Sequence, residues 1–152
     1  MANKVQEDSE PQILVLKGPP ACGKTTWAVS FVNDRKDWIR VNRDELRAMS
    51  GDYWTPYREQ VIKLAEITMI EEGLRRGFNI VIDDTNLKPE TRQIWYDIAS
   101  KFGCKIKERE FIVPYEEAVK RDEKRQKPVG EDEIRIMYKR FYPDLLQEAN
   151  GI

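Results

Sequence analysis

Histidine is missing from this 152-residue chain. With it go imidazole bases, imidazole metal ligands and any Ser-His or Cys-His nucleophile pair. A general base, where the chemistry needs one, is therefore a carboxylate. Cysteine is scarce too: Cys22 and Cys104 are the only two and form neither a metal-ligand spacing nor a disulfide framework, which points to a reducing cytoplasm. No apolar stretch reaches the ~20 residues that span a bilayer, and no secretory leader precedes the first strand, so no membrane role is expected. Neither sign of charge is in excess, with 26 Lys and Arg against 27 Asp and Glu; a basic footprint for nucleic acid has to be local. At 35% charged and 40% hydrophobic, the composition is that of one soluble domain.

What is present is Gly18-Pro19-Pro20-Ala21-Cys22-Gly23-Lys24-Thr25, which meets the G-x-x-x-x-G-K-[ST] pattern at every fixed position. Upstream, Ile13 to Leu16 is a continuous apolar run, as in a parallel strand buried on both faces. Downstream, Trp27, Ala28, Phe31 and Val32 recur at helical spacing. In such a strand–loop–helix unit the backbone N–H groups wrap phosphates at a helix N-terminus. Gly18 and Gly23 let the backbone approach closely. Lys24 would reach the β- and γ-phosphates, and the Thr25 hydroxyl would ligate Mg2+. The loop contacts expected for ATP are Gly18, Ala21, Cys22, Gly23, Lys24, Thr25 and Thr26. The alternative is a glycine-bearing turn before an ordinary helix. Cys22 reads as a tolerated small side chain, since phosphoryl transfer here needs no covalent intermediate.

Residues 1–11 are polar and without periodicity, and are expected to form a flexible tail; 12–147 would be the folded domain and 148–152 a short C-terminal tail. Trp38 to Val41 is a second strand, leading into Asn42 to Arg47 and one helical turn. A long helix follows from about Tyr57 to Arg76, with Val61, Ile62, Leu64, Ala65, Thr68 and Met69 as its apolar stripe. Asn79 to Ile82 is a third strand, Pro89 opens the next helix, and Cys104 to Val113 is a fourth strand. Two helices close the chain, Tyr115 to Arg125 and Glu131 to Leu146, with Pro143 kinking or ending the last. Alternating strands and helices predict an α/β fold, a parallel sheet of about four strands with helices on both faces and a helical lid. Ligands of such sheets lie beyond the carboxyl ends of the strands, where the phosphate loop, Asp44, Asp83 and Asp84 all fall.

Transfer of a phosphoryl group to an alcohol needs a donor cradle, a metal, a proton acceptor and positive charge for the moving group. Asp44 is the candidate base; the alternative is a helix N-cap. Arg47, three residues on, would hold the acceptor through a bidentate contact, or else pair with a surface carboxylate. Of Asp83 and Asp84, Asp84 with Thr85 is the favoured acceptor-side pair, although strand register decides which carboxylate faces the cleft. Arg121 and Arg125 share a helical face in the charged run Lys120 to Lys127, and read as lid residues on ATP or as a solvated helix face. Tyr53, Trp54 and Tyr57 either stack on a base or pin their loop to the core.

With these residues set out, the chain resembles the kinase domain of phage-type polynucleotide 5′-hydroxyl kinases. The resemblance spans Ile13 to Tyr142 and rests on GKTTW at Gly23, VNRDELR at Val41, DTNLKPETR at Asp84, VPYEEAVKRDEKR at Val113 and IRIMYKRF at Ile134. It implies that Lys24 and Thr25 bind phosphates and metal, Asp44 is the catalytic aspartate, and Arg47 holds the acceptor phosphate. It further implies that Asp84 is the DTN aspartate and Arg125 the lid arginine. The implied reaction moves the γ-phosphate of ATP, with Mg2+, to the 5′-OH end of RNA or DNA in nucleic-acid repair, beside a ligase of the same pathway. Many members carry a D-x-D-G-T phosphatase domain; no D-x-D occurs here, so a kinase-only protein or a piece of a longer one is expected. Two rivals remain: a small-molecule P-loop kinase, and a non-catalytic nucleotide switch, although the N-K-x-D guanine motif is absent.

Overall fold

A computed structural model describes residues 10–51 and 54–149. Most of the expected N-terminal tail and Tyr53 therefore lie outside the described residues. The elements are β1 (Gln12–Lys17), α1 (Lys24–Asn33), β2 (Trp38–Val41), α2 (Arg43–Ser50), α3 (Pro56–Arg75), β3 (Asn79–Asp83), α4 (Pro89–Phe102), β4 (Lys105–Glu110), α5 (Tyr115–Glu123), α6 (Glu131–Phe141) and α7 (Pro143–Ala149). All strand pairs are parallel, in the order β2-β3-β1-β4. The connection from β1 to β2 leaves a gap that β3 fills. The carboxyl end of β3 thus falls between the phosphate loop after β1 and the Asn42 segment after β2.

Alternation along the strands assigns the two faces. Ile13, Val15, Ile80 and Ile82 pack with Val41 against Ile70 and Leu74 of α3 and Trp95, Ile98 and Ala99 of α4. Leu16 and Val81 point the other way, onto Ala28 of α1. β3 is buried along its whole length, whereas β4, of sequence KIKERE, is an exposed edge. Charges on such an edge discourage pairing with another chain. A third cluster, of Cys22, Val113, Tyr115, Ala118, Ile134, Tyr138 and Leu146, packs α5, α6 and α7 against the phosphate loop.

Three expectations need correcting. The stripe drawn for α3 matches its buried face only at Ile62: Val61 and Leu64 are each 65% exposed, while Glu66, Ile70, Gly73 and Leu74 are buried with Ile62. A glutamate on the inner face breaks the apolar pattern, and periodicity then selects a neighbouring stripe. Strand β4 is shorter than Cys104 to Val113, because the turn after Phe102 takes its start and the chain is irregular from Phe111 to Pro114. The last predicted helix is two: of the readings for Pro143, ending the helix is the one met, since α6 stops at Phe141 and Pro143 opens α7, which suits a residue with no N–H to donate.

Candidate active site

The phosphate loop joins β1 to α1. A Cβ at Gly18 would lie 2.4 Å from the Phe111 carbonyl oxygen and 2.8 Å from Cys22 Sγ, so only glycine fits there. Gly23 has φ 98°, the left-handed region that glycine enters without strain. Ala21 shares that region at φ 62°, where a Cβ is strained, as often happens at ligand sites. Lys24 is 7% exposed. Its Nζ donates to the carbonyls of Gly18 (2.8 Å) and Pro19 (2.9 Å) and to Cys22 Sγ (3.3 Å). Cys22 is buried among the C-terminal helices; its side chain anchors the loop, and only its backbone remains for a phosphate.

Thr25 Oγ1 donates to Asp83 Oδ2 at 2.9 Å, and Arg40 Nε donates to the same oxygen at 2.8 Å. Asp83 is the last residue of β3 and pairs in register with Leu16, just before the loop. Burial pushes its carboxyl above the ordinary value, against the pull of Arg40, the Thr25 hydroxyl and the Lys24 charge. Its other oxygen, Oδ1, is buried with no hydrogen-bond partner. A buried acceptor left unmatched costs ~1–3 kcal/mol, and a cation or its water shell beside Thr25 removes that cost. Thr25 and Asp83 thus fit a Mg2+ held chiefly by substrate phosphates. No three-carboxylate or cysteine cage exists among the described residues, and Mg2+ does not require one.

Asp84 is occupied elsewhere: its Oδ1 accepts the Arg43 N–H at 2.8 Å. Register brings Asp83, not Asp84, to Thr25, and leaves Asp84 on the side of α2. Thr85 offers its carbonyl to the Gly18 N–H at 3.0 Å, tying the two loops together. Asn86, at φ 50°, is 2% exposed. Its Nδ2 donates to the Leu16 carbonyl at 2.7 Å, and its Oδ1 accepts from Trp95 Nε1 at 2.8 Å.

The N-cap of α2 is Asn42, whose Oδ1 accepts the Glu45 N–H at 2.8 Å. Asp44 is therefore not the cap. It sits in the first turn, its side chain 75% exposed and paired with Arg47 at 2.6 Å. The Arg47 fork is filled by Glu59 through bonds of 2.9 and 2.5 Å, which hold the Glu59 carboxyl below its usual range. The ion-pair reading of Arg47 describes this geometry, and an acceptor phosphate there competes with Glu59.

Asp44, Arg47, Trp54, Arg58, Glu59, Arg125 and Lys127 are among the walls of a cleft of about 270 Å³. A second hollow, of about 830 Å³, is lined by Ala21 to Trp27, Ser30, Arg121 and Arg125. Arg125 is common to both. It stands on a segment folded around Asp122, a 2% exposed carboxylate. Asp122 accepts the Val129 and Gly130 N–H groups at 2.9 Å each and Arg125 NH1 at 3.5 Å. Arg121 pairs with Glu117 at 2.9 Å. Trp54 and Tyr57 are 68% and 80% exposed, so neither pins its loop to the core.

Arg40, Glu59, Glu66 and Asp122 carry no signal in the sequence, whereas Asp83 is one of the two carboxylates between which register decides. The spacing of Asn42 and Glu45 resembles a capping box, a signal that could have placed the start of α2; Arg47 for Glu59, Arg43 for Glu66 and Asp83 for Arg40 lie 12 to 43 residues away, and Asp122 is met by N–H groups 7 and 8 residues on.

A family model described as an AAA domain matches residues 13–143. A protein of Autographa californica nuclear polyhedrosis virus, named for a bifunctional polynucleotide kinase/RNA ligase, is 28% identical over 93% of this chain and 22% of its own length. An L-seryl-tRNA(Sec) kinase of Methanococcus maripaludis is 26% identical over 85% of this chain and 52% of its own. A chain in the solved Pnkp1/Rnl/Hen1 RNA repair complex matches with a TM-score of 0.77 and 26% identity, over 97% of this chain and 48% of that one. The chain thus spans about half or less of each of these relatives.

Proposed function

The chain belongs to the AAA domain family, and from that membership and the geometry of the two hollows we propose that it is an ATP-dependent polynucleotide 5′-hydroxyl kinase of nucleic-acid repair. One observation carries the reading: Arg125 reaches both the phosphate-loop hollow and the Asp44 cleft, the position needed by a group that follows a phosphoryl from donor to acceptor. The loop N–H groups and Lys24 hold the β- and γ-phosphates. Thr25 and Asp83 would hold Mg2+, whose charge offsets that of the phosphates during transfer. Asp44 accepts the proton of the attacking hydroxyl. Arg125 stabilises charge that builds as the bond to ADP breaks. Arg47 orients the acceptor, with Asp84 and Thr85 forming the loop beside it. The names of the viral relative and of the repair complex support a polynucleotide acceptor and a ligase that consumes the new 5′-phosphate.

The archaeal relative favours a second reading, a kinase of a hydroxyl on another acceptor. One labelling experiment separates them. The protein is incubated with γ-labelled ATP and Mg2+ and offered 5′-OH RNA, 5′-OH DNA, the same strands already 5′-phosphorylated, aminoacyl-tRNA and small alcohols. Label is expected on 5′-OH ends and absent from the phosphorylated controls. Label confined to tRNA-borne serine or to a small alcohol would overturn the polynucleotide reading.

A further inference from the structure

Glu66 lies in the middle of α3, fully buried at 0% exposure. Its Oε1 accepts Arg43 NH2 at 3.0 Å, and its Oε2 has no partner. Facing it is Asp84, whose Oδ1 accepts the Arg43 N–H and whose Oδ2 is also buried and unmatched. The two carboxyls are bridged by Arg43, which donates to one oxygen of each, and they lie close enough to act on each other electrostatically. Two ionised carboxylates cannot share such a place, because burial and mutual repulsion both disfavour the second charge. One proton between Oε2 and Oδ2 removes both defects at once: it supplies the missing donor and cancels one charge. Glu66 is the group that holds it, since it is fully buried whereas Asp84 is half-buried; burial first and then Asp84 push its carboxyl well above the ordinary range.

We propose that Glu66 is a positioning residue for phosphoryl transfer, a neutral donor to Asp84 and an acceptor for Arg43 that locks the first turn of α2, and so Asp44, onto the end of β3. This rests on the kinase reading above. Arg43 is gripped twice, by its N–H on Asp84 and by its guanidinium on Glu66, and Asp44 is the next residue. A helix of eight residues has little stiffness of its own. The placement of the Asp44 backbone therefore depends on this buried clamp, while its mostly exposed carboxylate has one partner of its own, Arg47. Charged groups facing Glu66 come from both neighbours, Arg43 of α2 and Asp84 after β3.

The test compares Glu66→Gln with Glu66→Leu in the full chain, measuring kcat and KM for ATP and for a 5′-OH oligonucleotide. Glutamine offers the same pattern, one N–H for Asp84 and one oxygen for Arg43, and should stay within about threefold of wild type, well inside the ~10-fold that 1.4 kcal/mol represents. Leucine should cut kcat on the order of 100-fold, the scale of a small misplacement, with KM for ATP unchanged. Normal kcat in the leucine variant, or equal loss in both, would overturn the proposal. Should leucine fail to fold, the pH profile of kcat decides between wild type and glutamine. Wild type should lose turnover as Glu66 ionises near pH 9 and the glutamine variant should not; coincident profiles overturn the proposal. Wild type without any transfer to 5′-OH ends defeats the kinase reading instead, and ATP hydrolysis then serves as the readout for Glu66.

Discussion

At the scale of single residues the site divides into groups that face solvent and groups that hold them. Asp44 is exposed and makes one ion pair, so Asp44→Asn should leave the fold and ATP binding intact while turnover falls severely. Turnover rates and ATP affinity, checked by melting, decide this; normal turnover would send the search for a base to another carboxylate. Asp83 differs, because one oxygen is committed to Thr25 and Arg40 and the other is unmatched. Asp83→Asn keeps the Thr25 contact through its remaining oxygen but loses a negative charge toward a cation. Its expected signature is a raised Mg2+ requirement, with activity partly restored at high Mg2+. An unchanged Mg2+ titration would mean that Asp83 serves only to anchor Arg40.

At the scale of elements, short helices carry the chemistry and are held at their ends. Asn42 caps α2 and also donates to the Asp83 carbonyl at 2.5 Å. Asn42→Ala should cost about 1 kcal/mol of stability, the usual loss for a cap, and more if the bond to β3 counts; urea unfolding measures it. The segment after α5 depends on a single carboxylate. Asp122→Ala strips the acceptor from the Val129 and Gly130 N–H groups, at ~1–3 kcal/mol for each donor left buried, less if water reaches them. The segment should then open, with trypsin cutting after Lys124 or Arg125 faster than in wild type and ATP slowing the cut. Equal cutting rates would show that Asp122 does not hold the segment.

At the scale of the whole molecule, the buried Glu66 makes stability depend on pH. Its carboxyl moves from 4.5 to about 9 on folding, so the native state keeps a proton that the unfolded chain releases between those values. This contribution is full below about 4.5, declines as pH rises, and is gone above about 9; the sign follows from proton linkage. Glu66→Gln has no proton to lose and should flatten that slope. Melting temperatures of both proteins across this range test it, and parallel curves would remove the argument for a neutral Glu66. No helix among the described residues is long and apolar enough to cross a membrane.

Much of the donor side was legible in the chain because its constraints are local. Gly18, Gly23, Lys24 and Thr25 sit within one short stretch between a buried strand and a helix, so spacing alone implies a phosphate cradle. The alternation of strands and helices implied the parallel sheet for the same reason, each element carrying its own pattern. The acceptor side depended on pairings 12 to 58 residues apart. Register chose Asp83 over Asp84 for Thr25, and packing of α2 on α3 filled the Arg47 fork with Glu59. The inner face of α3 was hidden because a glutamate occupies its centre, and a glutamate is readable as buried only once Asp84 and Arg43 stand opposite it. Local chemistry is written in neighbouring letters; the neutralisation of a buried charge is decided by partners that only the folded chain brings together.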